Sequence, residues 1–143
     1  MGLDATVYRN HKNLAPHLCE RVKSDPGTGE LYFPDEADER LFGSSQLEAC
    51  HERIGNIALI ALIREEIAKA FGHQKSLLSR KVVYSGSHAG DSISFSEIDQ
   101  LNVEIDELEK STMSSRSSEL TAFIEQMRKL IAAAIREGNG IVF

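Results

Sequence analysis

The chain has 143 residues, of which 41% are hydrophobic and 27% charged. That is the composition of one globular domain, spanning 1–143, and it is long enough to bury a core without metal or disulfide staples. Sixteen Lys and Arg against 22 Asp and Glu give a net charge of −6, which excludes nonspecific nucleic-acid binding as the expected task, because phosphate binding needs a cationic surface.

In chain order, Ala5–Tyr8 reads as a short strand on the β-favouring Thr6, Val7 and Tyr8. Leu14, Leu18 and Val22 recur every fourth residue and fit a short helix if Pro16 sits in its first turn. The run Ser24-Asp-Pro-Gly-Thr-Gly29 is a turn by its chemistry. It joins either a strand or that helix to a strand at Leu31–Phe33, which Pro34 ends. Residues 35–45 are polar and acidic and read as a loop or a single helical turn. Ser44 or Ser45 then starts a long helix, with Glu48 completing a capping box, that runs to Phe71 and stops at Gly72. Gly55 inside this span implies close approach of another element.

Arg80–Tyr84 is a further strand candidate, centred on Val82 and Val83, and Ser85–Ser92 follows as a loop. A helix begins near Ser94 or Ser96, with Ser94 and Glu97 spaced as a capping box and Ile98, Leu101, Ile105 and Leu108 on one stripe. A Ser-rich linker, Ser111–Ser118, leads to a helix over Ser118–Glu137, whose apolar residues recur at helical spacing. Ile141–Phe143 is β-prone and needs a sheet to cover it. The expected fold class is α+β: three main helices packed with a small, mostly antiparallel sheet.

The charge is concentrated. Residues 1–45 carry net −3, 46–90 net +2, 91–112 net −6 and 113–143 net +1. Six carboxylates fall between Glu97 and Glu109, with Lys110 as the neighbouring base. One reading is a solvated helix face; the other is a docking surface for a basic partner, since acidic patches speed association and select partners.

Catalytic motifs are missing. No GxGxxG, P-loop, HExxH or EF-hand loop occurs, so no cofactor and no metal is expected. Cys19 and Cys50 form no CxxC pair and read as small buried thiols. His51 adjoins Cys50, but neighbours on a helix do not face each other, and His11 and His17 read as solvated. The loop 85–94 holds Ser85, Ser87, His88, Asp91, Ser92 and Ser94 ahead of a helix N-terminus. It reads as an anion cradle or Ser/His/Asp arrangement on one side, and as a capped strand-to-helix loop on the other. Met1–Asn10 lacks the pattern of a secretory leader, and the apolar run Ile57–Ile63 is far shorter than the roughly 20 residues that cross a bilayer. A cytoplasmic protein with no membrane partner is expected.

Three stretches are similar to sequences found together elsewhere: Met1-Gly-Leu-Asp-Ala-Thr-Val-Tyr8, Tyr84-Ser-Gly-Ser-His-Ala-Gly-Asp91 and Arg136-Glu-Gly-Asn-Gly-Ile-Val-Phe143, 24 of the 143 residues. They resemble a group of small bacterial proteins, some of which look like immunity proteins of polymorphic or contact-dependent toxin systems. The resemblance implies a cytosolic inhibitor that binds a cognate toxin domain and has no active site of its own. The expected partner surface is the helix bearing Glu97, Asp99, Glu104, Asp106 and Glu107, with Ser87, His88 and Asp91 of the adjoining loop. A small enzyme or ligand-binding protein using the 85–94 loop, and a structural homodimer, are the alternatives.

Overall fold

The sheet is built on β1, Gly2–Tyr8, whose Leu3, Ala5 and Val7 all face the core and are fully buried. In the computed structural model, which describes residues 2–72 and 75–143, the chain continues through α1 (Pro16–Cys19), β2 (Lys23–Ser24), β3 (Leu31–Tyr32), α2 (Glu36–Phe42), β4 (Glu48–Asn56) and α3 (Ile57–Phe71). It then forms β5 (Ser92–Ile93), α4 (Ile98–Ser111), α5 (Ser118–Glu137) and β6 (Ile141–Val142). The strand order is β4-β1-β6-β5, every pair antiparallel, and β2 and β3 form a separate hairpin. The fold class is α+β. Among the described residues no helix is long and apolar enough to cross a membrane.

The main core lies between the sheet and α3, α4 and α5; Ile60, Ile63, Leu101, Ile105, Phe123 and Met127 are at its centre. A second, smaller core under residues 14–47 joins Leu14, Leu18, Val22, Leu31, Phe33 and Leu47. The every-fourth-residue pattern of Leu14, Leu18 and Val22 thus marks burial, although only Pro16–Cys19 is helical, with Pro16 in its first turn. The turn after Ser24 joins β2 to β3, and Asp25 Oδ1 receives the N–H groups of Gly27 and Thr28 at 2.8 and 2.9 Å. Those bonds, Thr28 first and then Gly27, hold the Asp25 carboxyl below its usual range.

Three elements differ from the expectation. The long helix expected from Ser45 is a strand in its first half: β4 pairs with β1 along its length, and the helix begins only at Ile57, capped by Asn56, whose Oδ1 accepts from Leu59 N at 2.9 Å. Cys50 and Ile54 are four residues apart, so they satisfy a period of two as well as one of 3.6, and only the strand partner decides between them. Gly55 does mark a close approach, at the strand-to-helix corner. A Cβ there would stand 2.5 Å from Leu59 Cδ2, and one on Gly2 would stand 2.5 Å from Gly55 O.

The strand expected at Arg80–Tyr84 is instead a π-type turn over Leu78–Val82, closed by Val83 N–H donating to Leu78 O at 2.9 Å. Val82 and Val83 are both fully buried, so the turn faces apolar surroundings on both sides, a pattern that mimics a buried strand. Residues 36–42 form a two-turn helix where a loop or single turn was expected, with Asp35 Oδ1 accepting Ala37 N at 2.8 Å. The 85–94 loop gives up Ser92 and Ile93 to β5, which pairs with β6. The C-terminal strand is therefore central, which removes its aggregation hazard.

Candidate functional site

Helix α4 follows a 3-10 turn at Phe95–Glu97, and the expected capping box is present: Glu97 Oε1 accepts Ser94 N–H at 3.1 Å. Ile98, Leu101, Ile105 and Leu108 are all buried, so the apolar stripe faces the core as its spacing requires.

The acidic residues of this helix divide into those with internal partners and those without. Glu97 accepts Lys81 Nζ at 2.8 Å, and that bond, together with Ser94, holds its carboxyl below the usual range. Glu104 is turned inward and buried; it receives Leu77 N at 3.0 Å, Leu78 N at 3.1 Å and Gln100 Nε2 at 3.1 Å. It caps the 78–82 turn and reaches the surface only at the floor of a cleft, where the sequence led to an open docking position. Arg128 of α5 binds Asp106 at 2.9 Å and also Glu109, and these carboxylates raise the guanidinium above its ordinary value. Arg116 approaches Glu109 at 3.8 Å.

Asp99 and Glu107 remain. Among the described residues no cation pairs with either. They lie on the solvent side with Phe95 and Val103, which are 50% and 54% exposed. Within α4, Asp99, Val103 and Glu107 recur every fourth residue and so lie one above the other on its exposed side, while Phe95 belongs to the preceding 3-10 turn. Beside that face is a cleft of about 240 Å³ lined by Phe71, Lys75, Ser76, Gln100, Val103, Glu104 and Glu107. Phe95 and Val103 were not singled out from sequence, yet a signal exists: Val103 is an aliphatic residue off the buried stripe.

The loop residues sit elsewhere and are bound to structure. Ser87 is exposed and exchanges hydrogen bonds with Ser85. His88 Nε2 bonds Val82 O at 2.8 Å, and its Nδ1 lies 2.9 Å from Asp91 Oδ2. Tyr84 donates its hydroxyl to the same Asp91 oxygen, and this bond pushes the phenol upward. The imidazole stacks on Tyr84 at 4.6 Å and meets Phe143 at 5.7 Å. With one nitrogen held by a carbonyl and the ring covered, His88 is not placed as a general base toward Ser85, Ser87 or Ser92.

The other candidate groups are dispersed. Cys50 and His51 are consecutive in a strand, so they point to opposite faces. Burial, then Glu52, pushes the Cys50 thiol up, the reverse of nucleophile activation. His51 Nδ1 instead bonds Thr6 Oγ1 at 2.9 Å. His17 packs on Phe42 at 5.6 Å, and His73 lies outside the described residues. Among the described residues no group of three or more His, Cys, Asp or Glu is arranged to hold a metal ion.

No family model, curated protein or solved structure matches this chain. The segments Gly2–Tyr8, Tyr84–Asp91 and Arg136–Phe143 converge in the fold. β1 pairs with β6 at Thr6–Val142, Asn139 Nδ2 donates to Tyr8 O at 2.9 Å, and Gly90 N and Phe143 N donate to Phe143 O and Asp91 O. They form framework around the central strands.

Proposed function

We propose that the protein is a cytosolic, immunity-type binding protein that neutralises a basic toxin domain through the exposed face of α4. The observation that carries this reading is the pairing of Asp99 and Glu107, the carboxylates of α4 left without internal cations among the described residues, with the exposed Val103 between them, and with the exposed Phe95 in the turn that leads into the helix. Carboxylates on such a face steer a cationic partner and set its register, while the apolar side chains supply contact area that excludes water. If the toxin acts on nucleic acid or nucleotides, its cleft is basic, and Asp99 and Glu107 occupy phosphate positions there. Ser87, His88 and Asp91 take no part in this contact, since the last two are engaged within the loop.

The test is co-expression with the product of a neighbouring toxin gene. Asp99→Lys with Glu107→Lys abolishes protection and slows association, and the defect deepens as salt falls because like charges then repel over a longer range. Val103→Asp abolishes protection without changing the melting temperature. Full protection by both variants would overturn the reading.

A further inference from the structure

A cavity of about 260 Å³ opens where the smaller core meets the main sheet. Its floor is apolar: Leu31, Phe33 and Leu47, all buried members of that core. Tyr8, at the end of β1, and the half-exposed Tyr32 of β3 supply aromatic rings. Glu30, Glu39 and Glu48 supply carboxylates from three separate segments: the approach to β3, α2 and the start of β4. Among the described residues no Lys, Arg or His lines the cavity, and no cation pairs with any of the three acids.

The fold brings these groups together. Tyr8 stands opposite Glu48 in the β1–β4 pairing, and its hydroxyl donates to Glu30 Oε1 at 3.4 Å. Burial, then the charges of Glu30 and Glu48, push the Tyr8 phenol up to about 12. Carboxylates beside an apolar floor are poorly solvated, so a cation entering there gains more than it would in open water. The chemistry of that cation can be narrowed. Among the described residues no group of three acids or other ligands is arranged to hold a metal ion. An alkylammonium is likewise a compact point charge, whereas a guanidinium is planar, spreads five N–H donors in a fork and stacks on aromatic faces. The volume falls just below the roughly 300 Å³ at which ligand pockets begin, which leaves room for a group of side-chain size.

We propose that this cavity binds a guanidinium group carried on a short apolar stem. The plane stacks on Tyr8 and Tyr32, its N–H groups donate to Glu30 and Glu48, and the stem lies on Leu31, Phe33 and Leu47. Glu39, on the exposed rim, adds attraction at longer range. The group belongs either to a free guanidino compound or to an arginine side chain, and the recognition chemistry is the same for both. The site shares no residue with the α4 face and does not depend on the function proposed for it.

The experiment is an amide-shift titration of the full chain with propylguanidinium chloride at constant ionic strength. Saturable shifts at Leu31, Tyr32, Phe33 and Glu48 are expected below about 20 mM, the range of weak small-ligand affinities. Propylurea, a neutral molecule of the same shape, should bind at least roughly tenfold more weakly, because it makes no charge-assisted hydrogen bonds. Glu30→Gln with Glu48→Gln should lose at least as much. Neither acid holds an internal cation, so the fold should survive their neutralisation. Tyr32→Ala, at a half-exposed ring, is a second variant and should weaken binding severalfold. Glu119→Gln with Glu125→Gln makes the same charge change on α5, outside the cavity, and should leave the titration unaltered. A blocked Gly-Arg-Gly peptide that binds as tightly as propylguanidinium assigns the cavity to an arginine side chain; a much weaker one assigns it to a free guanidino compound. Shifts that do not saturate, equal binding of propylurea, or full affinity in the doubly neutralised chain would overturn the site.

Discussion

Glu104 accepts the backbone N–H of Leu77 at 3.0 Å, joining α4 to the start of the π-type turn. The same carboxylate takes Leu78 N, so an acid from the most negative segment of the chain serves as a buried cap. Glu104→Ala leaves these buried donors without acceptors, and each unsatisfied group costs about 1–3 kcal/mol. The expected loss is about 3 kcal/mol in urea unfolding, with Glu104→Gln milder because one oxygen remains. Glu107→Ala, at an exposed position, should stay within about 0.5 kcal/mol of the native chain. Equal losses for Glu104→Ala and Glu107→Ala would contradict the inward placement.

The acid limb of stability should depend on Glu97 and Glu137. Lys81 lowers Glu97. Burial pushes Glu137 up, but the N–H of Asn10 and the amide of Asn13, both at 2.9 Å, outweigh it and leave the net shift downward. A depressed carboxylate stabilises the fold above its unfolded value, about 4.3, and that contribution is lost as pH falls through the lower folded value. Both contributions are therefore fully present at neutral pH. Glu137→Gln should lower neutral stability and flatten the decline as pH falls below about 4.3. An unaltered acid limb in urea titrations across that window would refute the assignment.

Gly140 brings the segment leading into β6 against β5. A Cβ at this position would stand 2.1 Å from Ile93 O and 3.2 Å from Ser94 Cα, both backbone atoms that cannot swing away. Gly140→Ala should cost more than about 2 kcal/mol and lower the melting temperature by several degrees. Gly72→Ala meets open space, and its cost comes from the backbone angles alone, φ 62° and ψ −131°, about 1–3 kcal/mol. Thermal melts of the two variants should rank in that order.

Cys50 should react slowly with thiol reagents near neutral pH. Burial, and then the nearby Glu52, disfavour its thiolate, which is the reactive species. Its alkylation rate in the folded chain should fall below that of a free cysteine and recover in denaturant. A rate above that of the free amino acid would show an activated thiol and reopen thiol chemistry at β4.

Long, strictly periodic segments are legible in residue order alone. The α5 helix, the buried stripe of α4, the Ser94–Glu97 box and the Asp25 turn depend on local spacing and local hydrogen bonds, and they occur where residue order places them. Glu48–Asn56 misleads because its apolar residues fit two periods and the choice rests on its distant partner β1, and Arg80–Tyr84 misleads because Val82 and Val83 are buried side by side, as in a buried strand. The site divides in the same way. The concentration of carboxylates near α4 is a property of the sequence, but residue order cannot distinguish an acid that meets a cation from one that meets solvent.

By itself, then, the sequence determined an α+β domain with its acidity gathered on one helix, because composition and helical periodicity act within a few residues. Only the tertiary structure decided which of those acids are engaged. Lys81, Leu77 and Arg128 approach Glu97, Glu104 and Asp106 from other elements, 16, 27 and 22 residues away along the chain. Such contacts arise when packing brings distant segments together, and they leave Asp99 and Glu107 facing solvent beside Val103.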